Sequence, residues 1–382
     1  MADPAETPIF PQQPLSLQVR KYIQRAIWPD SEALDDLSEY KNYFEHFEQT
    51  IRTLGFGDPS MGTQKFAMRT YGDLKKVVEH LRLDPSKPRK ITAAHLEATF
   101  PGSSDSQRQR SIELTARLCL MIHMESPIGP ILPYTPVDWL DDMSLREAFE
   151  FWFPKCRPSS HYDKPRLASA LTLVKLRKLH GVHVWWTSNL KDHLEYYEET
   201  NTLRIFSHKI CLLSHLELEE QEIQQQGPTR QNSGQQETNS MFPDGLLDET
   251  IRTLDLLFPI ANLRAKKYLE DEGQVFYGAS LPRHSQFEPV ALNDFHYWRD
   301  RLAVLYDVLD RPSSSFRGML YDRRNPMQWL TFWLAVFFLV LILIFGVAGL
   351  TLGFKQLGLL QKAHALAVAQ ACALPVKPPG WC

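Results

Sequence analysis

The sequence lacks the motifs by which many enzymes hold phosphates, dinucleotides or catalytic metals. It contains no G-x-x-x-x-G-K-[ST] loop, no G-x-G-x-x-G, no G-x-S-x-G elbow, no H-E-x-x-H and no kinase signature. Zinc-finger, RRM and basic-zipper patterns are missing as well. The sequence therefore predicts no cofactor and no catalytic residue, and we favour a protein that is not an enzyme.

The sequence also contains few cysteines and no excess of positive charge. The formal net charge of -3 argues against a nucleic-acid partner, because such proteins usually carry a basic excess. Residues 1–14 lack the charged start and apolar run of a secretory signal. The cysteines are far apart and form no C-x-x-C pair, which suits a reducing compartment for the main body. They are Cys119, Cys156, Cys211, Cys372 and Cys382.

One long apolar run stands near the C-terminus. Residues 329–354 read WLTFWLAVFFLVLILIFGVAGLTLGF and contain no charge. About 20 apolar residues suffice to cross the hydrocarbon core of a bilayer, so this run predicts a transmembrane helix. The short tail that follows, 355–382, is only weakly apolar, and we expect an interfacial helix or a loose tail there.

The residues that flank the run predict its orientation. Trp329 and Trp333 lie where amphipathic rings favour the headgroup level. Only two lysines, Lys355 and Lys362, lie within about 20 residues after the run, whereas four arginines lie within about 20 residues before it. Because positive charge stays on the cytosolic side, we expect a cytosolic body and a tail on the other side. The arginines are Arg311, Arg317, Arg323 and Arg324, and the last two are also candidates for contact with anionic lipid headgroups.

Small residues mark one part of the apolar run. Gly349 and Gly353 form a G-x-x-x-G motif, and Gly346 adds a third small position. Small residues let two membrane helices approach closely, so these glycines are candidates for a helix-dimer face. The alternative is that glycine is simply common in membrane helices, and the motif is short enough that we favour this alternative.

Elsewhere the hydrophobic spacing is mainly helical. The segment VHVWW (182–186) is typical of a strand, and 194–197 with 203–206 predicts a hairpin. A small β element is thus expected within a helical body. Helices are predicted at about 37–54, 73–83, 92–99, 106–124, 144–153, 165–181, 208–224, 244–257, 262–270 and 293–310.

A polar stretch divides the body. Residues 224–240, QQQGPTRQNSGQQETNS, include no apolar side chain and cannot bury enough surface to offset the entropy of ordering. We interpret them as a disordered linker. The predicted organisation is a helical domain at 1–223 with its β element near 182–207, the linker at 224–240, a helical segment at 241–312, a juxtamembrane segment at 313–328, the membrane helix at 329–354 and the tail at 355–382.

Histidine is the one residue type that is locally enriched. Five histidines fall in and around the predicted β element: His180, His183, His193, His208 and His215. A metal site needs three or four converging ligands, and no spacing here matches a zinc pattern. Ordinary core or surface histidines are therefore the favoured interpretation, and a metal-binding module is the alternative.

Several segments resemble a known family. These are ETIRTLDLLFP (249–259), FHYWRDRLAVLYDVLDRP (295–312) and YDRRNPMQWLTFWLAVFFLVLILIFG (321–346), together with WTSNLKDHL and TLRIF within 186–206. They are similar to a set of uncharacterised fungal single-pass membrane proteins in which LLFP, YWRDRL and DRRNxxQWxTFW patterns recur in this order. The sequence departs from that pattern after Gly346. The resemblance implies a membrane anchor and brings no activity with it.

These observations favour a mainly α protein, with a helical cytosolic body, a small β-hairpin element and one C-terminal transmembrane helix. We expect a membrane-anchored, non-enzymatic interaction or scaffold protein. Its partners would be the lipid bilayer, unidentified proteins and, through the glycine face, a second copy of the chain. The alternative is a metal-dependent or other enzyme that uses the histidine-rich region 180–215. A channel subunit is disfavoured, because a single span without intramembrane charge offers no ion path unless many copies assemble.

Overall fold

The computed structural model describes residues 3–10, 14–29, 37–54, 64–124, 137–157, 166–167, 171–225, 240–276, 289–311 and 326–372. The chain divides into two compact units, Met1–Pro312, called the body below, and Ser313–Cys382. The architecture is mostly helical with a small three-stranded sheet and one long apolar helix at the C-terminus, as the sequence predicts.

Helices build the first half of the body. They are α1 (Leu17–Ile27), α2 (Lys41–Leu54), α3 (Tyr71–Leu83), α4 (Arg89–His95), α5 (Asp105–Leu120) and α6 (Leu145–Trp152). Three of them begin at a capping box, in which the side chain of the capping residue accepts a backbone N–H and a side chain three positions on returns the bond. The capping residues are Thr70, Ser104 and Ser144.

The second half adds five helices and five short strands among the described residues. In chain order these are β1 (Arg166–Leu167), α7 (Leu173–His180), β2 (His183–Thr187), β3 (Tyr196–Tyr197), β4 (Thr202–Phe206), α8 (Lys209–Gln225), α9 (Leu246–Leu257), α10 (Leu263–Asp271), β5 (Pro289–Val290) and α11 (Arg299–Asp310). Single 3-10 turns occur at Pro4–Glu6, Ser38–Tyr40, Leu190–Asp192 and Leu292–Asp294.

Some helix starts differ from the sequence prediction. The helix predicted at 165–181 is wrong in its first part, because Arg166–Leu167 is a strand that pairs antiparallel with β5. Helix α7 begins only at Leu173, where the side chain of Thr172 accepts the Lys175 N–H and caps it. Helix α9, predicted from about 244, begins at Leu246, and Gly245 occupies the capping position with φ 82°, in the left-handed region that favours glycine.

The β element combines a parallel pair with a hairpin. In the strand order β2-β4-β3, β2 runs parallel to β4 and β3 runs antiparallel to it. The hairpin predicted at 194–206 is therefore confirmed. Trp186 on β2 stacks on Phe258 and Tyr268, with ring centroids 5.8 and 6.4 Å apart, and meets Phe276 edge-on at 5.6 Å. These contacts join the sheet to α9 and α10.

A single cluster of buried hydrophobic residues runs through the body. It includes residues on both sides of the predicted linker 224–240. Phe149 of α6, for example, packs against Phe242 with ring centroids 5.1 Å apart. The two flanking segments thus share one core, and residues 226–239 of the linker lie outside the described residues.

A buried ion pair links α8 to α9. The Lys209 Nζ lies 2.5 Å from Asp255 Oδ1, and the two side chains are 8% and 6% exposed. The other oxygen of Asp255 has no hydrogen-bond partner among the described residues. Because a buried charge without its counter-ion is costly, each member of this pair depends on the other.

Glu249 joins α9 to the start of α11. Its carboxylate accepts the backbone N–H groups of His296, Tyr297 and Trp298, each at 2.7 Å. Bonds from backbone N–H groups to a carboxylate are charge-assisted and stronger than neutral ones. This side chain therefore fixes where the segment before α11 crosses α9.

The C-terminal unit contains α12 (Pro326–Cys372), a continuous helix of 47 residues. At 1.5 Å per residue it is about 70 Å long. It includes the predicted membrane helix 329–354 and continues through 355–372, which we expected to be interfacial or loose. Alanine-rich composition at 363–371 explains this continuation, since alanine has the highest helix propensity.

Candidate functional site

Helix α12 is the one helix of the described chain that is long and apolar enough to cross a membrane. The candidate span is Trp329–Cys372, with a mean hydropathy of 2.9 in its most apolar window and none of that window buried. Trp329 and Trp333 lie one turn apart in its first turns, with ring centroids 6.2 Å apart. The arginines predicted at this interface, Arg317, Arg323 and Arg324, lie outside the described residues.

The three candidate glycines occupy one side of α12. With 100° between successive residues of a helix, Gly346, Gly349 and Gly353 fall within about 60° of one another. A Cβ added at any of them would meet no atom within 4 Å. The glycines therefore leave a shallow strip on the helix surface, and dimerisation through this strip stays a prediction.

The five neighbouring histidines do not converge on one site. His183 on β2 is exposed. His180 donates its Nε2 proton to the carbonyl of Leu309, at 3.2 Å, which ties the end of α7 to α11. His215 donates its Nε2 proton to the carbonyl of Cys119, at 2.9 Å. The interpretation of these side chains as ordinary core and surface residues fits this dispersal.

His193 is held in one tautomer by its partners. Its Nδ1 accepts the backbone N–H of Phe206 at 3.3 Å, so its proton resides on Nε2, which lies 2.7 Å from Thr253 Oγ1. The Thr253 hydroxyl donates in turn to the carbonyl of Thr250. Burial holds the pKa of His193 well below its usual value, with Arg301 as a second cause. His193 is thus a neutral structural link between β4 and α9.

The structure instead brings together three histidines that are far apart in the sequence. His46 lies on α2, His123 follows α5 and His208 precedes α8, and we call them the histidine cluster. The ring of His46 is central, with centroid distances of 5.5 Å to His123 and 5.6 Å to His208. His123 and His208 are 4% and 3% exposed, whereas His46 is partly exposed.

Arg117 and Thr50 contact two rings of the cluster. Arg117 donates to Nδ1 of His123 at 2.9 Å. His46 Nε2 has a long contact of 3.5 Å with the Thr50 hydroxyl. Both ring nitrogens of His208 are buried without a hydrogen-bond partner among the described residues. An unsatisfied buried polar group costs about 1–3 kcal/mol. Burial of the His208 ring therefore lowers the free energy of unfolding.

Burial keeps the cluster uncharged. It lowers the pKa of His46 to about 3 and that of His123 to about 2, and in both cases the charge of Arg117 is the second cause. It also holds the pKa of His208 well below its usual value, with His46 as a further cause. Neutral imidazole can accept a proton or bind a metal. Within the described part of the chain, however, no group of three or more His, Cys, Asp or Glu could hold a metal ion.

A shallow cleft of about 280 Å³ opens between α6 and the start of α9. Its floor is aromatic and its rim carries charges of both signs. The Tyr297 hydroxyl is engaged with the carbonyl of Asp244 at 3.1 Å, and Lys155 lies over the Tyr297 ring at 5.6 Å. These contacts occur within the protein, and they single out no ligand class. The lining residues include Arg146, Glu150, Lys155, Phe242, Asp244 and Tyr297.

No pattern in the sequence predicts the histidine cluster. The three residues share no spacing, and His46 and His123 lie outside the enriched region 180–215. Only the packing of α2 against the ends of α5 and the start of α8 brings the rings together. No protein-family model, curated protein or solved structure matches the chain.

Proposed function

We propose that this chain is a membrane-anchored interaction or scaffold protein, with its body in the cytosol and no catalytic activity of its own. The observation that supports the proposal best is the apolar surface of α12. Leu343, Phe345 and Phe354 are 60, 71 and 72% exposed. Removing one such side chain from water is worth about 1.5–3 kcal/mol. A surface made of these residues is stable in hydrocarbon and not in water.

Cysteine chemistry supports a cytosolic body. Cys119, Cys156 and Cys211, all in the body, are free thiols, as is usual in a reducing compartment. Cys372, beyond the apolar run 329–354, is disulfide-bonded. A disulfide in the tail fits an oxidising compartment on the other side of the membrane, which agrees with the excess of arginine before the run.

The hydrogen bonds of three histidines support the non-enzymatic part of the proposal. His180, His193 and His215 each bond to a backbone or threonine group of the body, which supports a structural role for them. The resemblance of 249–346 to the fungal membrane family stays a prediction. It would imply the same anchor and carries no activity over to this chain.

Arginine substitution distinguishes the spanning part of α12 from its continuation. Replacing Phe338, Ile342 and Phe345 by arginine places three charges at the centre of the apolar run, at about 2.5–3.5 kcal/mol each. We expect this variant to leave the membrane pellet on alkaline extraction. The matched control carries Leu359→Arg, Ala363→Arg and Leu366→Arg at the same spacing and should stay in the pellet. Retention of the first variant would contradict a span at 329–354.

Topology and activity need separate tests. A glycosylation acceptor added after residue 372 should be modified, and one placed near the N-terminus should not. The reverse pattern would overturn the cytosolic body. Turnover of a nucleotide, ester or peptide substrate by the purified chain, abolished by substitution of a single body residue, would contradict the non-enzymatic function while leaving the anchor intact.

A further inference from the structure

The turn between α9 and α10 exposes two apolar side chains beside three cations. Ile260 and Leu263 are 40 and 80% exposed. Arg264, Lys266 and Lys267 follow them in the first turns of α10 and are exposed as well. Across the ranges that the structure describes, none of these three cations forms an ion pair. We call the five residues the basic-apolar tip.

The order of charges along α10 is opposite to the order that stabilises a helix. The N-terminal end of a helix favours acidic side chains, and the C-terminal end favours basic ones. Helix α10 has no acidic residue in its first turn and no basic residue in its last. Its acids, Glu270 and Asp271, come after the cations instead. The stability of α10 therefore does not explain why the cations stand at its start.

The body holds the backbone of the tip in place. Asn262 caps α10, because its side-chain oxygen accepts the backbone N–H groups of Arg264 at 3.1 Å and Ala265 at 3.3 Å. The Ala265 side chain is buried, and the ring of Tyr268 stacks on Trp186 of the sheet. The exposed side chains thus project from a preformed turn, and a partner can bind them without ordering the backbone.

Helix α10 lies close to the end of α11, the last helix of the body. Helix α7 contacts both of them. The guanidinium of Arg177 lies over the ring of Tyr268 at 4.1 Å, and His180, one turn later, bonds to the carbonyl of Leu309. Residues 312–325 connect this end of the body to α12, and 14 residues reach at most about 50 Å. A chain anchored through α12 therefore keeps the tip at a high effective concentration next to a bilayer.

Other exposed apolar side chains of the body have acidic neighbours. Leu140 is 60% exposed and is followed by two aspartates at 141–142. Phe151 is 70% exposed and follows Glu150 on α6. An anionic membrane surface would repel these positions, whereas it would attract the cations of the tip. The charge pattern thus distinguishes the turn between α9 and α10 as a surface for an anionic partner.

We propose that the basic-apolar tip binds the anionic lipid surface of the membrane in which α12 is anchored. The proposal rests on the membrane anchor proposed above. Basic side chains are attracted to an anionic leaflet, and the side chains of Ile260 and Leu263 are stabilised at the boundary between headgroups and acyl chains. Glu270 lies about 10 Å from Leu263 along the axis of α10. With the turn directed at the bilayer, the acids of α10 stay in water.

Lysine acetylation read by mass spectrometry tests the contact in the full chain. The protein is reconstituted into nanodiscs of phosphatidylcholine, with or without about one-third phosphatidylserine, and treated with an uncharged N-hydroxysuccinimide ester of acetic acid. Each cation near an anionic surface favours the bound state about fivefold, so three cations favour it roughly 100-fold. We expect Lys266 and Lys267 to react roughly tenfold more slowly when phosphatidylserine is present. The exposed Lys41 and Lys75 should keep their rates.

Variants that keep both reporter lysines show which side chains take part. Ile260→Asp with Leu263→Asp should abolish the effect of phosphatidylserine. The matched control, Leu83→Asp with Ile91→Asp, changes two side chains of 73 and 46% exposure elsewhere on the body and should retain the effect. Arg264→Gln weakens lipid binding about fivefold, so the slowing should fall from roughly tenfold to roughly threefold. If the first variant does not fold, Arg264→Gln decides the test.

The outcomes separate the lipid contact from the anchor. If the discs retain the chain and Lys266 and Lys267 react equally fast in both lipids, the contact is overturned and the anchor stands. If the discs are recovered without the chain, the anchor fails and the proposal fails with it. Slow reaction of both lysines in either lipid and in neutral detergent would show that the tip is covered by another copy of the chain, which also overturns the proposal.

Discussion

Replacing Lys209 by methionine is expected to lower the free energy of unfolding of the body by about 4 kcal/mol. The substitution keeps the length of the side chain and removes its charge. Asp255 then remains 6% exposed with no counter-ion. One of its oxygens already lacks a hydrogen-bond partner among the described residues, so the loss of Lys209 leaves both unsatisfied. Breaking a buried pair on one side costs about 3–5 kcal/mol, which sets the magnitude.

The double variant Lys209→Met with Asp255→Leu separates two causes. If the loss arises from an uncompensated buried carboxylate, removing that carboxylate restores most of the stability, because apolar replacements of buried ion pairs are often neutral. If methionine instead packs poorly beside α9, the double variant stays as unstable as the single one. Comparing the single and the double variant is one step of a double-mutant cycle for Lys209 and Asp255.

Thermal unfolding of the full chain in micelles, followed by near-ultraviolet circular dichroism, measures the effect. For a unit of this size, a loss of 4 kcal/mol lowers Tm by roughly 10 °C. Lys75→Met is the matched control, since Lys75 pairs with Glu79 on the surface at 3.8 Å and both side chains are about half exposed. Its effect should stay within about 0.5 kcal/mol. Equal losses in Lys209→Met and Lys75→Met would refute the reasoning.

Three further expectations concern other parts of the body. Glu249→Ala leaves three backbone donors before α11 without their acceptor, and a loss of about 3–5 kcal/mol is expected in the same melting assay. Burial raises the pKa of Glu219 to about 7, so burying this group is costly above pH 7 and the cost fades as the pH falls below it. Glu219→Gln should therefore raise stability by about 2 kcal/mol at pH 8 and have little effect near pH 4.5; an equal gain at both values would contradict this. Burial raises the pKa of all three thiols, but Cys156 is only half-buried, so iodoacetamide should modify it before Cys119 and Cys211, and peptide mapping of the native chain checks the order.

Elements with a complete local signal could be predicted from the sequence. Helix α6 shows its start through Ser144 and Glu147, which form a capping box, and its end through Pro154. The hairpin of β3 and β4 carries β-branched and aromatic residues around a polar turn. The apolar run of α12 is long enough by itself to predict a membrane span. In each case the residues that form the element also carry the sequence pattern that predicts it.

The local sequence pattern is sufficient to predict helix α1, which is not among the helices predicted above. Ser16 caps it, and Val19, Ile23 and Ile27 recur at helical spacing and are buried. Its charged residues, such as Arg20 and Arg25, obscured this stripe.

Other features depend on contacts that no local pattern encodes. Strands β1 and β5 have two residues each and lie far apart in the sequence, so only their pairing makes them strands. The parallel register of β2 against β4 is likewise set by the body around them. The histidine cluster forms only because of how α2 packs. The histidines of the enriched region 180–215, by contrast, do not converge in the fold.

The length of α12 has a mechanical consequence. A hydrocarbon core is about 30 Å thick, and the residues 329–354 are enough to cross it with some tilt. The residues 355–372 then form a rigid rod that extends about 27 Å further at 1.5 Å per residue. A tilt of about 20°, common for membrane helices, would carry the Cys372 end of the rod sideways by roughly 9 Å. Small changes in bilayer thickness would in this way become lateral movements of the disulfide-bonded end.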